Sequence, residues 1–383
     1  MFPSFGSAEI HPSWRFRTIR SFAPCEARPT LRALDVRSLF VKATENKIVY
    51  SREVPDKSKF EISERRFIMP ENRIKILAVT GPTASGKTSL AIALARELNG
   101  EIISSDSMQI YREMDIGTAK PTREEQAEVK HHLIDILPPD APYSCSDYVK
   151  DAEAAIEDII SRGKLPIFCG GTGLYLDRLL RGGNDEDAAC DPAIREELKK
   201  FYEEKGVDAL YEKLVVLDPE AAATIHKNNV KRVIRAIEIC LVTGQKKSDI
   251  DKKNSEMSDK YDATVITLSF SNRDLLYERI DRRVDMMIDE GLVDETRRLL
   301  EMGVFERSVT ASQAIGYKEL FPYLRGDDSL ENCIEELKRA SRRYAKRQIT
   351  WFSGKDYTKK VFVDNENGMR TFEDIVNISK NLF

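Results

Sequence analysis

Gly81-Pro-Thr-Ala-Ser-Gly-Lys-Thr88 is the stretch on which the reading of this chain turns. It fits G-x-x-x-x-G-K-[ST] at each fixed position. Before it lies the apolar run Ile74-Lys-Ile-Leu-Ala-Val-Thr80, the pattern of a buried parallel strand. After it, Ser89 to Leu98 shows helical spacing and Asn99-Gly100 gives a stop. Strand, glycine-rich turn and helix are the context a phosphate cradle requires. Gly81 and Gly86 let the N–H groups of Pro82-flanked Thr83, Ala84 and Ser85 converge on phosphate oxygens, and the helix N-terminus adds its dipole. Lys87 supplies a point charge, and the Thr88 hydroxyl can reach a magnesium ion. The octapeptide implies a phosphate ligand and leaves open which one.

Outward from the cradle, Glu101-Ile-Ile-Ser104 reads as a second strand ending near Asp106, and Ser146 to Arg162 as a helix stopped by Gly163. Leu165-Pro-Ile-Phe-Cys169 is a third strand running into Gly170-Gly-Thr-Gly173, and Ala263 to Phe270 a later one. One long helix is expected from Arg273 to about Met302. Strands alternating with helices predict an α/β fold, a P-loop NTPase-like parallel sheet with helices on both faces. From Gly182 to about Asp259 charged helices (PAIREELKKFYEEKG, VDALYEKLVVL, NNVKRVIRAIEICLVTG) replace strand-like runs, which predicts a helical insertion; Gln245 to Asp262 reads as loop. The expected plan is a core over 70–181 and 260–383 with the insertion at 182–259.

Residues 1–69 stand apart. Arg15, Arg17, Arg20, Arg28, Arg32 and Arg37 face three acids before Ala43, a composition that suits an organellar targeting segment. The alternative is a start assigned too far upstream, with Met69 opening the compact protein. Either way the segment is expected to be disordered. Localisation follows: cytoplasmic, or mitochondrial or plastid if the segment is a transit peptide.

Composition narrows the class. A formal net charge of -4 excludes a polyanion binder by bulk charge, so any nucleic-acid affinity must come from local clusters. Six cysteines without a CxxC pair and four histidines allow no zinc-finger spacing. No apolar run reaches the ~18 residues of a membrane helix, so no membrane partner is expected.

An ATP- or GTP-using site would follow a longer apolar strand with an acid. Asp106 has that placement only after a short strand, and Leu165 to Cys169 ends in Gly-Gly-Thr-Gly. Instead, Ser104-Ser-Asp-Ser-Met-Gln-Ile-Tyr111, Met114-Asp-Ile-Gly-Thr-Ala-Lys-Pro121, Gly170-Gly-Thr-Gly-Leu-Tyr175 and Lys346-Arg-Gln-Ile-Thr-Trp351 join the cradle in one order. Together they resemble the tRNA dimethylallyltransferase (isopentenyltransferase) family from about Ile74 to Gly354.

The resemblance implies magnesium-dependent transfer of dimethylallyl from dimethylallyl diphosphate to N6 of the adenosine 3′-adjacent to the anticodon. The donor's diphosphate would occupy the cradle, and Asp106 would be the general base on the adenine amine, with an outer magnesium ligand as the alternative. Thr172 would bind a diphosphate oxygen, or merely cap its helix. One of Arg279 and Arg283, four apart on a helix, would hold the diphosphate, the rival being ion pairs with Glu278, Asp281 and Asp285. Ser107, Met108 and Gln109 would line the entrance for a flipped base. Lys231, Arg232, Val233, Ile234 and Arg235, and Ser312, Gln313, Ala314, Ile315, Gly316, Tyr317 and Lys318, would be tRNA-contact segments, with Arg195 a further candidate.

Lys338 to Arg347 carries six cations in ten residues and no acid. Lys338, Arg342 and Lys346 form one i,i+4 column and Arg339, Arg343 and Arg347 the next, an arrangement suited to a phosphate backbone such as the tRNA anticodon stem-loop. A solvated face is the bland alternative. A monomer is expected. Rival activities are prenyl transfer to free adenine nucleotides and an ATP-dependent small-molecule kinase.

Overall fold

The computed structural model describes residues 40–44, 47–51, 73–182, 190–254 and 257–383. In the N-terminal unit, Phe40–Thr44 and Lys47–Ser51 pair as antiparallel strands. The expectations for the rest of 1–69 lie outside the described residues.

The main unit, Pro70–Phe383, is built on six parallel strands. In chain order they are β1 (Ile74–Thr80), β2 (Gly100–Ser104), β3 (His131–His132), β4 (Leu165–Cys169), β5 (Tyr261–Ser269) and β6 (Thr358–Phe362). Across the sheet the order is β3-β2-β4-β1-β5-β6. Central β1 is apolar on both sides because both sides are covered. Ile76 and Ala78 pack with Tyr148, Ile156, Leu176 and Leu179 of helices Cys145–Ser161 and Gly173–Arg181. Leu77 and Val79 face Leu90 and Leu94 of α1 (Lys87–Glu97), with Ile375 and Val376 of Phe372–Lys380 on the same side. Helices therefore cover both faces, as the alternation predicts.

The edge strands β3 and β6 were not legible: one is two residues long, and the other, TKKVF, is mostly polar. Edges lack the two-sided burial that writes a strand as an apolar run.

The helix expected from Arg273 to Met302 is two helices, α2 (Arg273–Asp289) and α3 (Leu292–Glu301). Gly291, at φ 101°, sits between them in the left-handed region, so the chain turns there. The expected loop after Gln245 contains a helix, Lys247–Lys253, held because Ile250 is buried and Asp218 accepts bonds from the Ser248 N–H (2.7 Å) and hydroxyl (2.8 Å).

The insertion is helical throughout its regular elements. Pro192–Leu217 breaks at Gly206 (φ 81°), matching two separate helical runs in the sequence. It packs Leu198, Leu210 and Leu214 against Val233, Ala236 and Ile237 of α4 (Val230–Thr243). Burying each such large aliphatic side chain is worth about 1.5–3 kcal/mol, enough to make this a core of its own. The last long helix, α5 (Leu330–Ser353), packs beside α2.

Candidate active site

The cradle connects β1 to α1. Gly81 has φ 135°, and a Cβ there would lie 2.7 Å from the Leu268 carbonyl oxygen, so the position admits only glycine. Gly86, at φ 91°, starts α1. Lys87 donates from Nζ to the Pro82 carbonyl (2.7 Å), and Arg279 donates from Nε to the Ala84 carbonyl (2.9 Å). Ser85 Oγ is buried with no hydrogen-bond partner among the described residues. That orphaned hydroxyl suits a phosphate oxygen.

At the carboxyl ends of β1, β2 and β4 a cavity of about 620 Å³ brings Lys87, Thr88, Asp106, Gln109, Arg279 and Arg283 together. Burial brings the Lys87 ammonium down to about 8, with Arg283 adding to the fall while Cys169 and Asp106 oppose it. Burial likewise pushes Arg283 below its ordinary value, against Asp106 and Glu290. Arg279 is lowered by burial and then by Arg282. Three cations crowded in a partly dry cavity make a strong anion site. The sequence left one arginine to be chosen; both line the cavity, Arg279 also bracing the cradle backbone. Neither forms an ion pair with Glu278, Asp281 or Asp285 among the described contacts; Asp281 and Asp285 pair with α5 instead.

Asp106 lies just past β2, and its Oδ1 accepts the Met108 N–H (2.9 Å). Thr172 stands at the N-cap of its helix, but its side chain makes no cap bond: its Oγ accepts the Ser107 N–H (3.1 Å), and its own N–H donates to the Ser105 carbonyl (3.1 Å). The residue thus sits at the cap position, with its hydroxyl directed to the preceding loop instead of the helix. Its hydroxyl fixes the turn carrying Asp106.

Each glycine of Gly170-Gly-Thr-Gly173 marks a close approach. Added Cβ atoms would meet the Ser105 carbonyl oxygen at 2.0 Å, Gln348 Nε2 at 2.1 Å and Trp351 Cδ1 at 2.2 Å, for Gly170, Gly171 and Gly173 in turn. Gln348 bridges the two phosphate-side loops, accepting the Thr83 N–H (2.8 Å) and donating to the Gly171 carbonyl (3.2 Å). The Lys346–Trp351 motif thus contributes packing at the site, which its sequence did not announce.

The lining also includes Ser107–Gln109, Gly117–Ala119 and Gln313–Gly316. Gln109 accepts from the Ser104 hydroxyl (3.0 Å) and donates to the Ala119 carbonyl (3.2 Å). Sequence reasoning missed Glu295, a buried carboxylate behind this lining.

The expected tRNA segments divide by burial. Lys231, Arg232, Gln313 and Lys318 are exposed, whereas Val233, Ile234, Ala314 and Tyr317 are buried and Gly316 with them. Val233 and Ile234 are therefore core residues of the insertion, a correction set by the inward face of α4. Arg195 and Arg235 each pair with fully buried Glu238 at 2.9 Å, which ties them to the fold of the insertion. On α5, Lys338 pairs with Asp285 (2.7 Å) and Arg342 with Asp281 (2.5 Å), joining α5 to α2. Arg339, Arg343, Lys346 and Arg347 stay exposed, with Arg347 also lining the cavity.

One carboxylate–histidine group, Glu101, His132 and Asp158, could hold a metal by spacing. Glu101 already pairs with Arg162 and with Lys164 (3.0 Å), so two cations occupy the charge a metal would need. Those pairs, with His132, hold the Glu101 carboxyl far below its usual range. The group also lies at the amino end of β2, away from the cradle.

No described helix is long and apolar enough to cross a membrane. The family model described as IPP transferase matches residues 109–355, and that described as Isopentenyl transferase matches 74–136. A tRNA dimethylallyltransferase of Caldanaerobacter subterraneus subsp. tengcongensis is 47% identical over 79% of this chain and 95% of its own length. One from Bacillus cytotoxicus is 49% identical over 79% and 94%. Among solved structures, the tRNA isopentenylpyrophosphate transferase of Bacillus halodurans is 44% identical, with a TM-score of 0.59 over 81% of this chain and 96% of that one. A eukaryotic dimethylallyltransferase acting on tRNA is 33% identical, with a TM-score of 0.64 over 75% and 74%.

Proposed function

This chain belongs to the IPP transferase family, and we propose that it moves a dimethylallyl group from dimethylallyl diphosphate to N6 of the adenosine 3′-adjacent to the anticodon of tRNA. One observation carries the reading: a three-cation phosphate cradle and a carboxylate, Asp106, share a single cavity.

The donor's diphosphate sits on the cradle N–H groups, within reach of Lys87, Arg279 and Arg283. As the bond between the allylic carbon and the diphosphate oxygen breaks, negative charge grows on the departing pyrophosphate. Cations and amides already aimed at it stabilise that charge more than the ground state, which lowers the barrier. The adenine N6 forms the new bond to the allylic carbon, and Asp106 takes the proton that N6 sheds. Thr172 and the Asp106–Met108 turn hold the carboxylate in place. Thr88, which lines the cavity beside the cradle, would help hold a magnesium ion, and such an ion would supply charge neutralisation to the leaving group. An unstacked anticodon-loop adenine is the expected acceptor form. The exposed cations of α5 and of the start of α4 serve the phosphate backbone, and the tRNA pool is expected in the cytoplasm.

The test incubates the full chain with magnesium and labelled dimethylallyl diphosphate, offering tRNA, AMP, or adenosine together with ATP in parallel. Label in tRNA alone is expected. Label in AMP and none in tRNA replaces this reading with nucleotide prenylation, and phosphate transfer from ATP to a small molecule would replace it with a kinase.

A further inference from the structure

Glu295 lies in the first turn of α3, is 6% exposed, and has no part in the chemistry described so far. Its carboxylate nevertheless accepts four hydrogen bonds. Three come from consecutive backbone N–H groups, of Asp115 (3.1 Å), Ile116 (2.9 Å) and Gly117 (3.0 Å), and the fourth from the Tyr317 hydroxyl (2.8 Å). Two oxygens that accept only, facing four donors, leave neither side unsatisfied.

The two segments joined in this way touch directly. A Cβ on Gly117 would fall 2.5 Å from Cζ of Tyr317, and one on Gly316 would fall 3.1 Å from the Gly117 carbonyl oxygen. Both segments continue into the cavity wall, one as Gly117–Ala119 and the other as Gln313–Gly316. The Thr118 and Ala119 carbonyls in turn receive Nε2 of Gln109, three residues after Asp106 in the chain, at 3.4 and 3.2 Å. Arg298, one turn further along α3, adds a bond to the Glu113 carbonyl (3.3 Å). None of these bonds reaches the cradle, where Arg279 and Gln348 do the bracing.

We propose that Glu295 is a positioning residue for the acceptor side of the reaction: by gripping the 115–117 backbone and Tyr317 together, it sets the wall against which the tRNA adenine is placed. The proposal rests on the tRNA prenyl-transfer reading above. Glu295→Gln keeps the volume but replaces one acceptor oxygen by an NH2 that faces N–H donors, so the wall loosens without a cavity.

Steady-state kinetics of the full chain, varying each substrate in turn, separate the two sides. In Glu295→Gln the KM for tRNA should rise about tenfold to a hundredfold, the scale of a lost charged hydrogen bond. The KM for dimethylallyl diphosphate should stay within about twofold, since the cradle is untouched. Tyr317→Phe removes one of the four bonds and should give a smaller rise in the same column, which keeps the proposal open to failure if the first variant does not fold. Equal rises for both substrates would mean a general structural role and overturn it, as would an unchanged KM for tRNA in either folded variant. A wild-type chain that labels no tRNA overturns the parent reading and this proposal with it, whereas active wild type with unsplit KM values overturns this proposal alone.

Discussion

The cradle of this cavity is one octapeptide braced by Arg279 of α2 and Gln348 of α5, whereas the lining across from it includes Ser107–Gln109, Gly117–Ala119 and Gln313–Gly316, the last of these far from the others in the chain. The cradle binds with backbone N–H groups, whose convergence needs only local φ and ψ, as at Gly81 and Gly86. The other lining must present a shaped surface to a base, and no single turn can do so. Its segments are therefore stitched from behind, by Glu295, Tyr317 and Gln109. A phosphate grip is local, and an acceptor site of this kind is not.

The widest split between the two regions should come from Asp106→Ala, which leaves the cradle intact. Transfer should fall by about 10²- to 10⁴-fold, the usual worth of a general base, while tRNA and diphosphate binding stay near wild type. Rapid-quench transfer beside filter binding reads both, and loss of binding with unchanged turnover of the residual complex would remove Asp106 from the base role.

A smaller effect, confined to the cradle, follows from Lys87. Its folded-state value is depressed to about 8, so its charge is present below that pH and is lost as pH rises through it. A bound diphosphate favours the charged form, so binding above pH 8 takes up a proton, and affinity should fall by at most about tenfold per pH unit. Calorimetry of dimethylallyl diphosphate binding, whose phosphates have no proton left to lose above pH 8, in buffers of differing ionisation enthalpy checks the uptake; tRNA affinity should lack this step. Proton release on binding would contradict the burial argument.

The smallest expected change concerns α5. Arg343→Ala and Arg347→Ala should each lower the salt slope of tRNA binding by about 1, with transfer at saturation unchanged. Lys338 and Arg342, spaced identically but paired with Asp285 and Asp281, should affect folding more than the slope. Identical slopes in all four variants would take α5 out of the tRNA surface.

Much of the molecule was legible because its signals are local. The octapeptide between Thr80 and Ser89, the doubly buried runs of β1 and β4, and the switch to charged helices at 182–259 each depend on residues near one another. The motifs shared with the family marked the site but not what each residue does there. That Thr172 anchors Ser107, that Gly171 makes room for Gln348, and that Lys338 and Arg342 face α2 while Arg343 and Arg347 face solvent all depend on where distant elements pack. Conformation and periodicity are written along the chain, so the sequence by itself determined the parallel core, the cradle and the insertion. The partner of a buried polar group is chosen by whatever the fold brings against it, so only the tertiary structure decided that Glu295, silent in the sequence, holds the acceptor-side lining together.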